Sequence, residues 1–133
     1  MKFMYPTGAM LILVFLFGCM PMQMGTEQAK TRVDKDNSLV TPSPSEAQTA
    51  IKQGALILDV RSAEEFSTGH YPSAINIPHS LITQKAPTLI KDTKKTIVVY
   101  CKSGFRAEVA KQELNRLGFA QVINAGGLTD INN

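Results

Sequence analysis

The sequence predicts an α/β fold: a small parallel β-sheet flanked by helices on both faces. Two observations carry this. From about residue 38 onward, short apolar runs of strand length alternate with helix-like stretches, the order expected of strand–helix–strand units. The runs Ala55–Val60 (ALILDV) and Thr96–Tyr100 (TIVVY) are also continuous rather than alternating, as in strands covered on both sides. A chain of 133 residues has room for one such domain.

Residues 1–18 are read as a signal peptide outside the fold. Lys2 supplies a weak positive start, and Ala9–Phe17 (AMLILVFLF) is an apolar core too short to span a bilayer comfortably. Leu16-Phe17-Gly18-Cys19 resembles the bacterial lipoprotein signal, in which cleavage leaves an N-terminal cysteine that is then acylated; Phe17 departs from the smaller residue usual there. The expectation is export to the periplasmic side of a bacterial membrane, with a lipid anchor on Cys19; the alternatives are ordinary secretion with cleavage elsewhere, as a soluble periplasmic protein, or an uncleaved anchor. Residues 19–37 are polar and without periodicity, and are expected to be a flexible tether. The folded domain is expected over residues 38–133.

Within the domain, Ser43-Pro44-Ser45-Glu46 has the form of a capping box, with Pro44 suited to the first helical position. Ala47, Ala50 and Ile51 give the helix an apolar face, and Gly54 ends it. The strand Ala55–Val60 follows. Ser62-Ala63-Glu64-Glu65 is a second capping box, on a short helix closed by Gly69. Ala74–Ile77 is a short strand stopped by Pro78. Leu81–Ile90 is helical, with Pro87 demanding a kink or an early end. After the strand Thr96–Tyr100 and a loop, a helix carries Val109, Ala110, Leu114 and Leu117 on one side, with Gly118 beyond its end. Gln121–Asn124 is the last strand, followed by Gly126-Gly127.

In parallel sheets ligands sit at the carboxyl ends of the strands. Asp59-Val60-Arg61, Cys101 and Gly126-Gly127 all fall at or just after such ends. Cys101 is the residue with chemistry. Loop peptide N–H groups and the start of the following helix direct positive charge at one spot, which Lys102 and Arg106 flank; a thiolate suits that spot, and the thiolate is the nucleophile. If Cys19 is acylated, Cys101 has no disulfide partner and is a free thiol in an oxidising compartment. Asp59 and Arg61 read as a charged pair that fixes loops at the edge of the site, with Glu65 in reach. His70 reads as a structural hydrogen-bonding residue and His79 as a surface one. Two isolated histidines and one free cysteine have no metal-ligand spacing, so neither metal nor other cofactor is expected. The formal charge is +3 and the lysines are dispersed, with no basic stripe and interleaved aromatics, which argues against nucleic-acid binding.

Taken in order, Asp59-Val60-Arg61, Glu65-Phe66, Gly69-His70-Tyr71-Pro72-Ser73-Ala74-Ile75-Asn76-Ile77-Pro78, the Cys101 loop and Gly126-Gly127 resemble a single rhodanese homology domain over roughly Leu39–Ile131. With the export signal, the chain is similar to small periplasmic sulfurtransferases of the phage-shock type. The resemblance implies that Cys101 takes sulfane sulfur from a small anionic donor such as thiosulfate, carries it as a persulfide, and passes it to cyanide or a thiol. It implies that Lys102, Ser103, Gly104, Phe105 and Arg106 form the cradle. Arg106 is expected to contact the anion and Gly104 to allow a tight bend, while Ser103 either donates a hydroxyl or serves the turn. Phe105 is bulkier than the residue often found there and either narrows the mouth or stacks on a partner. Leu128-Thr129-Asp130-Ile131 stands where the family commonly has an aromatic residue, and with Asn133 the last residue the final helix is expected to be short or frayed.

Three rivals follow from the same residues. Cysteine phosphatases and arsenate reductases use a related loop but place one residue more between cysteine and arginine; the shorter loop here suits a lone sulfur better than a phosphoryl group. A non-turnover sulfur relay or binding module on the same fold would also keep the cysteine. Thiol–disulfide exchange would need an unlipidated Cys19 as partner, since there is no Cys-x-x-Cys pair.

Overall fold

The computed structural model describes residues 32–33 and 39–132. The stretch expected to be a signal peptide and Cys19, the expected acylation site, lie outside the described residues, as does most of the expected tether. Part of the stretch expected as a tether is ordered: β1 (Arg32–Val33) pairs antiparallel with β2 (Leu39–Val40), with Arg32 opposite Val40.

The main sheet has four parallel strands in the order β4-β3-β5-β6. They are β3 (Leu56–Asp59), β4 (Ile75–Asn76), β5 (Ile97–Cys101) and β6 (Val122–Gly127). Alternate residues of each strand face opposite sides, and both sides are apolar and covered. On one side Leu58, Val99 and Cys101 pack with Ile82 and Ala86 of α3 (Ile82–Leu89) and with Ala110 and Leu114 of α4 (Phe105–Arg116). On the other, Ile57, Val98 and Tyr100 pack with Ala47 and Ala50 of α1 (Pro44–Lys52) and Ile131 of α5 (Leu128–Ile131). The expected α/β fold with helices on both faces is therefore present.

Several local details differ from expectation. Pro44 opens α1, but Ser43 makes no side-chain cap. Its N–H instead bonds the Asn124 carbonyl at 2.8 Å, so the chain enters the domain stitched to the outer edge of β6. The second capping box does form: Ser62 Oγ accepts from the Glu65 N–H, and the Glu65 carboxylate from the Ser62 N–H, both at 3.2 Å, at the start of α2 (Ala63–Ser67). Pro87 neither stops nor shortens α3, which runs on to Leu89; the carbonyl left without an N–H partner belongs to Thr83, an exposed position that water can satisfy. In α4, Ala107 rather than Val109 joins Ala110 and Leu114 on the buried face. Finally, β6 does not end at Asn124 but continues through both glycines. Val99 faces Asn124 and Cys101 faces Gly127, so β6 carries one extra residue there, a bulge at which Gly126 adopts φ +86°. The last helix is short, as expected, and anchored by the buried Ile131.

Candidate active site

The register brings the three predicted pieces to one edge of the sheet. Asp59 lies opposite Tyr100 and Cys101 opposite Gly127, all at the carboxyl ends of their strands. Cys101 is the last residue of β5, 0 % exposed, and its sulfur points into the side packed by α4. The chain then turns through Lys102 and Ser103, both exposed, to Gly104. Gly104 has φ +94°, a left-handed conformation that disfavours any residue with a Cβ, and it caps α4. The turn folds the loop back so that the Gly104 N–H donates to Cys101 Sγ at 3.1 Å. The expectation of a tight bend at Gly104 holds, and the loop aims a backbone donor and the start of a helix at the sulfur.

The floor of the loop is β6. A Cβ on Gly127 would lie 2.6 Å from the Lys102 carbonyl oxygen, so the loop backbone occupies the space a side chain would need. Asn124, buried in the middle of β6, reaches across: its Nδ2 donates to the Gly104 carbonyl at 3.0 Å and to Glu108 Oε2 at 2.9 Å. Sequence reading missed Asn124. Its signal was a single amide inside the apolar run Val122-Ile123-Asn124-Ala125.

Arg106 projects from the first turn of α4, and its partner is Glu65. The two terminal nitrogens bond the two carboxylate oxygens at 2.5 and 2.9 Å. Glu65 thus bridges to the loop arginine rather than joining the Asp59–Arg61 pair. The Glu65 hydrogen bond to Arg106 lowers its carboxyl pKa to about 2. Arg106 is raised, chiefly by Glu65 and further by Cys101, whose sulfur lies close enough to interact. The guanidinium therefore sits between a carboxylate and the Cys101 sulfur, with its bidentate face already occupied. Phe105 is 37 % exposed on the rim.

The pair makes a pH prediction. A carboxyl held at about 2, against an ordinary 4.5, contributes stability that is fully present above pH 4.5 and disappears as pH falls through about 2. Thermal unfolding of the wild type and of Glu65→Gln should show the wild type more stable at neutral pH. The difference should shrink below pH 4.5 and vanish near pH 2. A difference independent of pH would show that the carboxylate charge is not what Arg106 holds.

Asp59 and Arg61 form the expected structural pair, buried beside the site. Asp59 accepts from the Arg61 backbone N–H at 2.9 Å, from its guanidinium at 2.6 and 3.0 Å, and from the Tyr100 hydroxyl at 2.8 Å. The Arg61 guanidinium also donates to the Gly69 carbonyl at 2.7 Å. The Asp59 hydrogen bond raises Arg61, and burial first, with Asp59 adding to it, pushes the Tyr100 phenol up to about 12. His70 plays the expected structural part, its Nδ1 2.9 Å from the Phe66 carbonyl and its ring stacked on Phe66; His79 is half-buried. Among the described residues no cluster of His, Cys, Asp and Glu could hold a metal ion.

Comparison with known proteins agrees with this geometry. A family model described as Rhodanese-like domain matches residues 43–133. Thiosulfate sulfurtransferase PspE of Escherichia coli (strain K12) is 39% identical over 74 residues, covering 56% of this chain and 71% of that protein. Putative sulfur carrier protein YrkF of Bacillus subtilis (strain 168) is 31% identical over 102 residues, covering 77% of this chain but 45% of that protein. Among solved structures, a rhodanese with anions from E. coli superposes with a TM-score of 0.56 at 37% identity, covering 59% of this chain and 92% of that one.

Proposed function

The chain belongs to the rhodanese-like domain family, whose chemistry is sulfur transfer, and from that premise we propose that it is an enzyme with Cys101 as the sulfur carrier. The Cys101 thiolate attacks the sulfane sulfur of a small anionic donor such as thiosulfate. A new S–S bond forms at Sγ while the donor's own S–S bond breaks, and sulfite leaves with the electron pair. Cyanide or a thiol then attacks the outer sulfur of the persulfide, and Cys101 departs as thiolate. The observation that carries this reading is the Gly104 N–H donated to Sγ at 3.1 Å at the start of α4. Such a fixed donor favours sulfur at the moments when it holds negative charge. The name of the E. coli relative supports thiosulfate as donor. In this reading Lys102 and Ser103, on the exposed rim, meet the donor anion, Arg106 faces the sulfur, and Phe105 meets the acceptor.

Intact mass of the purified chain tests it. Thiosulfate should add one sulfur, about 32 Da, which cyanide then removes. A second reading, a relay fed by another protein's persulfide, is favoured by the burial of Cys101 and by Glu65, which offsets the charge that would draw in a free dianion. The relative named as a putative sulfur carrier fits it too. Under that reading thiosulfate adds no mass, whereas a persulfide donor does.

We further propose that residues 1–18 direct export, that Cys19 carries a lipid anchor, and that residues 38–133 work on the periplasmic side of the membrane. Among the described residues no helix is long and apolar enough to cross a membrane. Cys19→Ser is expected to move the protein from the membrane to the soluble fraction on cell fractionation. Tight membrane association of that variant would point to an uncleaved anchor instead.

A further inference from the structure

Asn124 is 1 % exposed, and a buried amide is tolerated in a sheet only when its polar atoms are bonded. Here the bonds run to three separate segments. Nδ2 donates to the Gly104 carbonyl, at the end of the nucleophile loop, and to the Glu108 carboxylate, in the first turn of α4. Oδ1 accepts the Gly126 N–H at 2.9 Å, in the bulge that sets Gly127 under the Lys102 carbonyl. The residue whose carbonyl Asn124 grips is the one whose N–H holds Cys101 Sγ. One amide therefore ties the strand beneath the loop to the end of the loop itself, over a sulfur with no solvent exposure.

We propose that Asn124 is a positioning residue that latches the Lys102–Gly104 loop closed over Cys101, with Glu108 fixing the orientation of its amide. The donor end of the amide faces two acceptors, the Gly104 carbonyl and the Glu108 carboxylate, and the acceptor end faces one donor, the Gly126 N–H. Asn124→Asp keeps the size but sets an acceptor against both of those acceptors, so it opens the latch without leaving a cavity. The latch serves two ends. It holds the Gly104 N–H on the sulfur during transfer, and it limits the access of other reagents to the thiol.

The test uses the full chain, well below its unfolding temperature, and follows two rates. One is alkylation of Cys101 by iodoacetamide, read on the Cys101 peptide by mass spectrometry so that Cys19 does not interfere. The other is steady-state sulfur transfer from thiosulfate, which rests on the function proposed above. In Asn124→Asp, alkylation is expected to speed up about tenfold while kcat for transfer falls about tenfold and KM changes little. A residue that merely supports the fold would move neither rate while the domain stays folded. Unchanged alkylation in a folded Asn124→Asp overturns the latch, and so does a slower one. If that variant does not fold, Glu108→Ala, at a half-exposed position, reads the same device: alkylation about threefold faster is expected, and an unchanged rate overturns it. Faster alkylation in a protein whose wild type takes no sulfur from thiosulfate would keep the latch and remove the thiosulfate reading. Normal transfer with neither rate altered would do the reverse.

Discussion

Replacing Asp59 by alanine is expected to destabilise the domain by about 3–5 kcal/mol, the range for a buried ion pair that loses one partner. The Asp59 carboxylate is fully buried and takes hydrogen bonds from the Arg61 backbone, the Arg61 guanidinium and the Tyr100 hydroxyl. Without it, the Arg61 guanidinium remains buried with the Gly69 carbonyl but no carboxylate bonded to it. The Tyr100 hydroxyl still accepts the Tyr71 N–H at 2.9 Å but loses the acceptor for its own proton. Asp59→Asn, which keeps the shape and part of the hydrogen bonding, should lose less. Urea unfolding of the three proteins measures this. A loss below about 1 kcal/mol for the alanine variant would mean that water enters and solvates Arg61, and that the pair is as weak as an exposed one.

Cys101→Ser is expected to abolish sulfur transfer while leaving the fold in place. Serine has no sulfur to form a persulfide, and its hydroxyl is a far weaker nucleophile than a thiolate. Structurally the exchange is mild. The Gly104 N–H that now bonds Sγ at 3.1 Å can bond a hydroxyl oxygen, and the side chain is nearly the same size. Setting a hydroxyl among apolar neighbours should cost about 1 kcal/mol, so the melting temperature falls by a few degrees and no more. The check pairs a melting curve with the mass measurement. A serine variant that still gained sulfur from thiosulfate would place the carrier elsewhere in the chain.

The order of strands and helices, the shared edge and the place of Cys101 between strand and helix were legible in the sequence because each leaves a local mark: a continuous apolar run, a glycine after a helix, a cysteine where a strand meets a helix. What was not legible depends on partners distant in the chain. Ser43-Pro44-Ser45-Glu46 and Ser62-Ala63-Glu64-Glu65 look alike, yet only the second caps with its side chains, because the Ser43 backbone is taken up by β6. Arg106 carries the letters of an anion ligand, but its bidentate partner stands 41 residues away on α2. The glycine pair reads as lying beyond the last strand, which was expected to end at Asn124. It is strand, since the bulge at Gly126 lets β6 continue alongside Cys101. Asn124 was the polar letter in an apolar run, and a buried strand tolerates such a letter only if it is bonded.

The loop after Cys101 rests on β6, through Asn124, Gly126 and Gly127, while Ser43 at the entrance of the domain is bonded to that same strand. During synthesis Cys101 is made before Asn124, Gly126 and Gly127 exist. A nascent chain that has only reached α4 has the thiol but neither the floor beneath it nor the stitch that joins the domain's beginning to its end. The surroundings of Cys101 are therefore completed only once β6 has been made and has paired with β5.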